Sequence, residues 1–159
     1  MTKIDVNNIV LTKMTEAHTH YVAEIENACF SKPWSLQSIQ NELQNNNAYF
    51  WVAILDSKVI GYCGMHNALD EWYIANIAVL PEYQGNGLGT ILTKQLVDYA
   101  QKQKGAFITL EVRPSNHTAV NIYSKLGFEK LGLRKNFYSS PIEDGLIMTL
   151  NFNTENNQN

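Results

Sequence analysis

Apolar residues recur along this chain with two different periods, and the switches between them set out its elements in order. A short apolar run at 9–14 reads as a strand, and after Thr15, which can cap a helix, Ala17, Tyr21, Ile25 and Ala28 recur near the helical period. Pro33 stops that helix within Cys29-Phe30-Ser31-Lys32-Pro33-Trp34-Ser35, and Ser35 can cap a second helix over 36–43. Asparagines at 45–47 mark a turn. Runs at 49–55 and 58–65, joined by the two-residue link Asp56-Ser57, predict a hairpin, and 72–80 predicts the next strand, which makes a meander of three. The helical period returns with Leu88, Ile91, Leu92, Leu96 and Tyr99 on one face, and Gly105 ends it. A strand at 107–112 follows, then a helix opening at Ser115-Asn116, carrying Ala119, Ile122, Tyr123 and Leu126 on one face and closed by Gly127. Strands at 128–136 and 146–152 flank a loop at 139–145, and residues 153–159 form a polar tail expected to be disordered.

A strand, a crossover helix and a second strand predict a parallel β-α-β unit. The expectation is therefore one α/β domain over residues 1–152. It is a mixed, mostly antiparallel sheet of six to seven strands, with helices on both faces and one parallel unit.

The stretch Asn76 to Thr90, NIAVLPEYQGNGLGT, carries the clearest chemistry. A β-branched run ends at Pro81, and Gly85, Gly87 and Gly89 precede the next helix. Glycines there clear side chains from a helix N-terminus, where backbone N–H groups lack intrahelical partners and the dipole favours an anion. The pattern suits a phosphate cradle at the carboxyl end of a strand. A P-loop requires Lys and then Ser or Thr after its last glycine, whereas Gly89 is followed by Thr90 and Ile91. A dinucleotide fingerprint requires GxGxxG after a first strand, and this spacing is GxGxG in mid-chain.

Gln84, Gly87 and Gly89, after a strand ending Ile77-Ala78-Val79, resemble the Q/R-x-x-G-x-G/A signature of the GCN5-related N-acetyltransferases. Two further stretches resemble the ribosomal-protein-alanine branch of that family, the RimI type. They are Cys29-Phe30-Ser31 with Pro33-Trp34-Ser35, and the long run Leu110-Glu111-Val112-Arg113-Pro114-Ser115-Asn116 continuing to Ala119, Tyr123 and Gly127-Phe128. The resemblance covers residues 4–152 and implies the acetyltransferase fold, with the parallel unit at a cofactor cleft. It implies acetyl-coenzyme A as cosubstrate, with Ile77, Ala78 and Val79 along the pantetheine arm. The N–H groups of Gly85, Asn86, Gly87, Leu88, Gly89 and Thr90 would lie around the pyrophosphate, with Gln84 also at the cofactor, and Asn116 would bond the cofactor as well. Glu111 corresponds to the family's proton acceptor and Tyr123 to its proton donor. Two departures stand out: QGNG occupies a loop where relatives commonly carry basic residues, and Glu143-Asp144-Gly145 replaces the frequent Glu-Asp-Ala.

The chemistry can be argued beside the resemblance. Acetyl transfer to an amine needs a neutral nucleophile, oxyanion stabilisation and a proton for the departing thiolate. An α-amino group, with a pKa of about 7.7–8.0, is easier to deprotonate than lysine at about 10.4, so a carboxylate acting directly or through water suffices. Glu111 lies near the end of its strand on the face opposite Ile108, Leu110 and Val112, as a groove-facing base requires; its ordinary alternative is a solvated strand glutamate. Tyr123 shares the apolar helix face and equally reads as a core tyrosine. Gln84 equally reads as a polar loop residue and Asn116 as a helix cap. A strand N–H near Val79 is the candidate oxyanion donor, and Trp34, Arg134 and Tyr138 are candidates to line the acceptor groove.

Composition adds bounds. The chain has 159 residues, 45% hydrophobic and 17% charged, with a net charge of -3, which fits one ordinary globular domain without a basic nucleic-acid stripe. The N-terminus lacks an apolar signal core and no run reaches membrane-spanning length, so a cytoplasmic location is expected, with no membrane partner. Cys29 and Cys63 read as reduced thiols, and they and the four histidines show no metal-ligand spacing. The leading expectation is an Nα-acetyltransferase acting on a protein N-terminus, the N-terminal alanine of a small-subunit ribosomal protein. The alternatives are an acetyltransferase of a small free amine, such as a polyamine or antibiotic, and a non-catalytic acetyl-coenzyme A binding domain.

Overall fold

A computed structural model describes residues 2–152; the tail expected at 153–159 lies outside the described residues. Seven strands form one sheet: β1 (Val10–Lys13), β2 (Ala48–Leu55), β3 (Lys58–Ala68), β4 (Glu71–Val79), β5 (Phe107–Val112), β6 (Glu129–Tyr138) and β7 (Glu143–Asn151). Their order across the sheet is β1-β2-β3-β4-β5-β7-β6, and only β4 and β5 run parallel. Helices α1 (Thr19–Cys29) and α2 (Leu36–Glu42) precede β2, α3 (Leu88–Lys102) joins β4 to β5, and α4 (His117–Lys125) follows β5.

Two apolar clusters, one on each face, explain why the central strands read as nearly continuous apolar runs. On β2, Trp51 and Ala53 face α3, where they meet Leu88, Leu92 and Leu96. Phe50 and Val52 face the other way, against Val22 and Ile25 of α1 and Ile39 of α2. Asp56 and Ser57 adopt positive φ, as a two-residue hairpin turn requires, and Ser35 caps α2 by accepting from Ser38 N–H at 3.1 Å.

Three expectations shift. The buried face of α1 is Thr19, Val22, Ile25 and Glu26, so Tyr21, Ala17 and Ala28 point to solvent. A 3-10 turn at Glu16–His18 precedes the helix and offsets its phase from a pattern counted from Thr15. The last hairpin loop is shorter than 139–145, because Glu143 to Gly145 already belong to β7. At the end of α3 the left-handed residue is Lys104 (φ 61°); Gly105 is small for another reason, since a Cβ there would lie 2.6 Å from Trp72.

The feature that creates a site is the short β4–β5 ladder. Only Glu71–Phe107, Trp72–Ile108 and Tyr73–Thr109 pair, after which the strands part. On its other side β4 pairs with β3 through a bulge, in which Gly64 faces Asn76, Met65 faces Ile74, and Ala75 is the extra residue.

Gly64 sits beside that bulge, and a Cβ there would lie 2.2 Å from the buried Phe50 ring. Gly64→Ala is expected to destabilise by about 1–3 kcal/mol through overpacking, read from the urea midpoint. Gly132→Ala, where a Cβ meets nothing within 4 Å, should stay within about 0.5 kcal/mol of wild type. Equal midpoints for the two variants would show that Phe50 yields freely.

Candidate active site

Where β4 leaves β5, a groove of about 780 Å³ opens, within the roughly 300–1,000 Å³ usual for small-molecule sites. Its wall carries Asn76 and Ile77 from β4, Glu111 from β5, and Asn116 and Tyr123 from the start and middle of α4. The groove is also lined by Trp34 of the α1–α2 turn and by Tyr138 at the end of β6.

The Glu111 side chain is only 4% exposed. Its Oε1 accepts from Arg134 Nε at 2.8 Å and its Oε2 from the Tyr73 hydroxyl, so it is not the solvated strand glutamate of the ordinary reading. Arg134 therefore acts on Glu111 directly rather than as groove lining. Tyr73 was not singled out by the sequence, yet it was reachable: it alternates with buried Trp72 and Ile74, and the parallel unit puts it beside Thr109. Burial pushes the Tyr73 hydroxyl up, and the bond to Glu111 adds to this, so Tyr73 stays a donor at neutral pH.

Burial likewise pushes the Tyr123 hydroxyl up, with the Tyr138 charge a smaller cause. Its ring packs 5.7 Å from Phe128, so both readings hold: the ring is in the core while the residue lines the groove. Burial and then Glu111 raise Tyr138 to about 12, opposed by the Arg113 guanidinium, 4.5 Å from the ring.

The glycine loop lies at the N-terminus of α3, and neither Gln84 to Thr90 nor Ala78 and Val79 are among the residues that line the groove; the link to it is Gly89, which approaches Ile122 on the helix that carries Tyr123. The first intrahelical bond runs from Ile91 N–H to the Gly87 carbonyl at 3.1 Å, so the N–H groups of Leu88, Gly89 and Thr90 precede the ladder. Gly85 (φ 82°) and Gly87 (φ 84°) are left-handed, which favours glycine. Gly89 serves a different need, because a Cβ there would come 3.1 Å from Ile122 of α4. The neighbouring side chains hold the loop. Gln84 Nε2 donates to the Val79 carbonyl at 3.0 Å, and Asn86 accepts from Ile4 N–H at 3.2 Å while donating to the Tyr83 carbonyl at 2.9 Å. The Gln84 N–H is taken as well, donating to the Pro81 carbonyl at 3.3 Å, so Gln84 is turned to structural partners through both its side chain and its backbone. A pyrophosphate fits here, because the N–H groups of Leu88, Gly89 and Thr90 lie ahead of the α3 ladder while the Gln84 and Asn86 side chains are turned to structural partners.

Asn116 caps α4, its Oδ1 accepting from Ala119 N–H at 3.2 Å, while Ala78 and Val79 are buried. The Val79 carbonyl also accepts from Cys29 Sγ at 3.2 Å. The bulge in β4 lies at Ala75, four residues before Val79, the candidate position for an oxyanion donor. Among the described residues no group of three or more His, Cys, Asp or Glu is placed to hold a metal ion, and no helix is long and apolar enough to cross a membrane.

Comparison with known proteins decides the family. The acetyltransferase (GNAT) family model matches residues 19–128. The chain belongs to this family, and it is an N-acetyltransferase. A Bacillus subtilis (strain 168) protein is 40% identical over 134 residues, 84% of this chain and 89% of its own length. The [ribosomal protein bS18]-alanine N-acetyltransferase of Haemophilus influenzae is 38% identical over 119 residues, 74% of this chain and 80% of that one. The crystal structure of the ribosomal-protein-S18-alanine N-acetyltransferase from Escherichia coli superposes with a TM-score of 0.84 at 30% identity, covering 91% of this chain and 94% of that one.

Beyond Glu111, a second cluster ties the β6–β7 loop to the start of α4. Glu143 accepts from Ser115 Oγ and Ser115 N–H, both at 2.8 Å, and pairs with Arg113 at 3.3 Å. Arg113 also donates to the Pro141 carbonyl at 2.9 Å and the Ser139 carbonyl at 3.1 Å. The Ser115 bonds, and then Arg113, hold the Glu143 carboxyl below the usual carboxylate range. A depressed acid contributes stability above its unfolded value and loses it as pH falls through its folded value. The difference in urea midpoint between wild type and Glu143→Gln should hold from pH ~7 to ~5 and shrink below pH ~4. A difference independent of pH throughout would remove the ionised carboxylate from this tie.

Proposed function

We propose that this N-acetyltransferase works in the cytoplasm on a protein N-terminus, with acetyl-coenzyme A as donor and the N-terminal alanine of a ribosomal protein of the bS18 kind as acceptor. The observation that carries the reading is that Glu111 and Tyr123 line one groove, together with Asn76 and Ile77 of β4 beyond the point where it parts from β5. The names of the Haemophilus and Escherichia relatives support the acceptor.

Bound acetyl-coenzyme A supplies an acetyl group activated as a thioester. Ile77, Ala78 and Val79 would align its pantetheine arm, the N–H groups of residues Gly85 to Thr90 its pyrophosphate, and Asn116 a further polar group. Glu111 takes the proton of the attacking α-amine, directly or through water, as the N–C bond forms. Tyr123 gives its proton to the sulfur as the C–S bond breaks. Its raised pKa keeps that proton on the hydroxyl at neutral pH. Each Glu111 oxygen accepts one bond from the protein, which leaves lone pairs for the amine.

A small polycationic amine would be suited by unpaired negative charge on the acceptor side. Glu26, Glu111 and Glu143 are each already engaged, by Asn76 and Trp34, by Tyr73 and Arg134, and by Ser115 and Arg113. That pairing favours the peptide acceptor.

The test is mass spectrometry of peptides beginning with alanine, methionine or serine, with an internal-lysine control, after incubation with enzyme and acetyl-coenzyme A. Acetylation confined to the α-amine of alanine-starting peptides is the expected result; transfer to a polyamine with none to the peptides overturns the acceptor. In the same assay Glu111→Gln and Tyr123→Phe should each lower kcat by about 10²-fold or more while calorimetry shows cofactor binding retained. Unchanged turnover would remove their roles.

A further inference from the structure

Glu26 is a buried carboxylate that the chemistry above does not use. It lies on the sheet-facing side of α1, 1% exposed, beside Ile25 and Val22, where a carboxylate needs donors to be tolerated. It has them. Oε1 accepts from Trp34 N–H at 3.1 Å and from Asn76 Nδ2 at 3.2 Å, and Oε2 accepts from Asn76 Nδ2 at 3.1 Å. Burial pushes the carboxyl above its usual range, and the Trp34 N–H, the buried Tyr62 hydroxyl and the Asn76 amide oppose the shift.

The donors belong to different parts of the groove. Trp34 lies in the turn between α1 and α2, on the acceptor side, whereas Asn76 follows the Ala75 bulge of β4. The Asn76 amide has one workable orientation, because its nitrogen faces a carboxylate while its Oδ1 accepts from Ile77 N–H at 3.2 Å. A continuous chain of bonds therefore runs from the Trp34 backbone through Glu26 and Asn76 to the Ile77 backbone. Ile77 is one of the strand residues aligned with the donor arm under the proposed function. A leucine at position 26 would fill the same space without linking the two sides.

We propose that Glu26 is a positioning residue for acetyl transfer, which sets the acceptor-side turn at Trp34 in register with the bulged strand at Asn76 and Ile77. The inference rests on the proposed acetyl transfer to a peptide amine. Its effect belongs in kcat, because it fixes the relative placement of donor and acceptor, whereas the glycine loop anchors the cofactor independently. A misplacement of about 1 Å lowers turnover by up to about 10²-fold.

The test is an exchange of donor and acceptor. Glu26→Gln keeps an oxygen for Trp34 N–H but turns an NH₂ toward the Asn76 NH₂, and flipping Asn76 would break its bond to Ile77. Adding Asn76→Asp restores complementarity, since the carboxylate introduced at position 76 accepts from the glutamine and from Ile77 N–H. With the alanine-starting peptide, Glu26→Gln is expected to lower kcat by about 10- to 100-fold with the calorimetric Kd for acetyl-coenzyme A changed by less than about threefold. The double variant should recover most of the loss. Wild-type kcat in folded Glu26→Gln overturns the proposal, and so does a loss that the second substitution leaves in place. If Glu26→Gln does not fold, Asn76→Ala carries the same test, and wild-type kcat there overturns it. Failure of the wild-type enzyme on every peptide would instead strike the acceptor reading, and the comparison would then be run on the amine it does acetylate.

Discussion

The parting of β4 from β5 after Tyr73–Thr109 is the constraint on which the rest of the molecule depends. A parallel pair inside a sheet would normally continue, and ending it leaves backbone groups without ladder partners. Such groups are costly unless other partners satisfy them. Here the partners are local side chains. Gln84 and Cys29 both donate to the Val79 carbonyl, and Asn76 accepts from Ile77 N–H. The residue that opens the glycine loop thus also closes off the exposed end of β4. Loop and cleft are one construction.

Helix packing fixes where the opened sheet presents its chemistry. Trp72 and Ile108 pair with each other and are both buried on the α3 face, so the β4–β5 ladder is anchored just before it ends. Gly105 lets α3 return against Trp72, and Gly89 lets the start of α3 approach Ile122 of α4. That second approach brings the N-terminus of α3 and the helix carrying Tyr123 together. Small residues thereby set the distance between the glycine-lined end of α3 and the helix that carries Tyr123.

Much of this was legible in the sequence, for reasons that differ by element. Strand 107–112 was read with its bounds as observed because strict alternation puts Ile108, Leu110 and Val112 inward. The Asp56-Ser57 turn and the Ser35 and Asn116 caps are local chemistry, and each formed. The α1 face was misread because a 3-10 turn shifts its phase, which no periodicity counted from Thr15 contains. The motif singles out Glu111 and Tyr123, which share the groove, but not Tyr73, the Arg134 bond to Glu111 or the Arg113–Glu143 tie. These are contacts between residues 23 to 38 positions apart, set by strand order rather than by local spacing. Glu26 was masked further: it sits in an apolar helix face, and only its partners distinguish it from a solvated glutamate.

The three acceptor-side carboxylates follow one rule, and it bears on which amine the groove suits. Each is bonded by donors from a second element: Glu26 by the α1–α2 turn and β4, Glu111 by β4 and β6, Glu143 by the junction of β5 and α4. Their charge is committed to holding the groove's walls rather than to attracting a cation. An α-amine of pKa about 7.7–8.0 is already partly neutral near pH ~7, and it needs only a nearby acceptor for its last proton. A lysine or polyamine nitrogen, near about 10.4, would have to be stripped of a strongly held proton or be drawn in as a cation. A groove whose negative charges are all engaged offers little for the second route. The same pairing that braces the open sheet thereby disfavours the more basic amines.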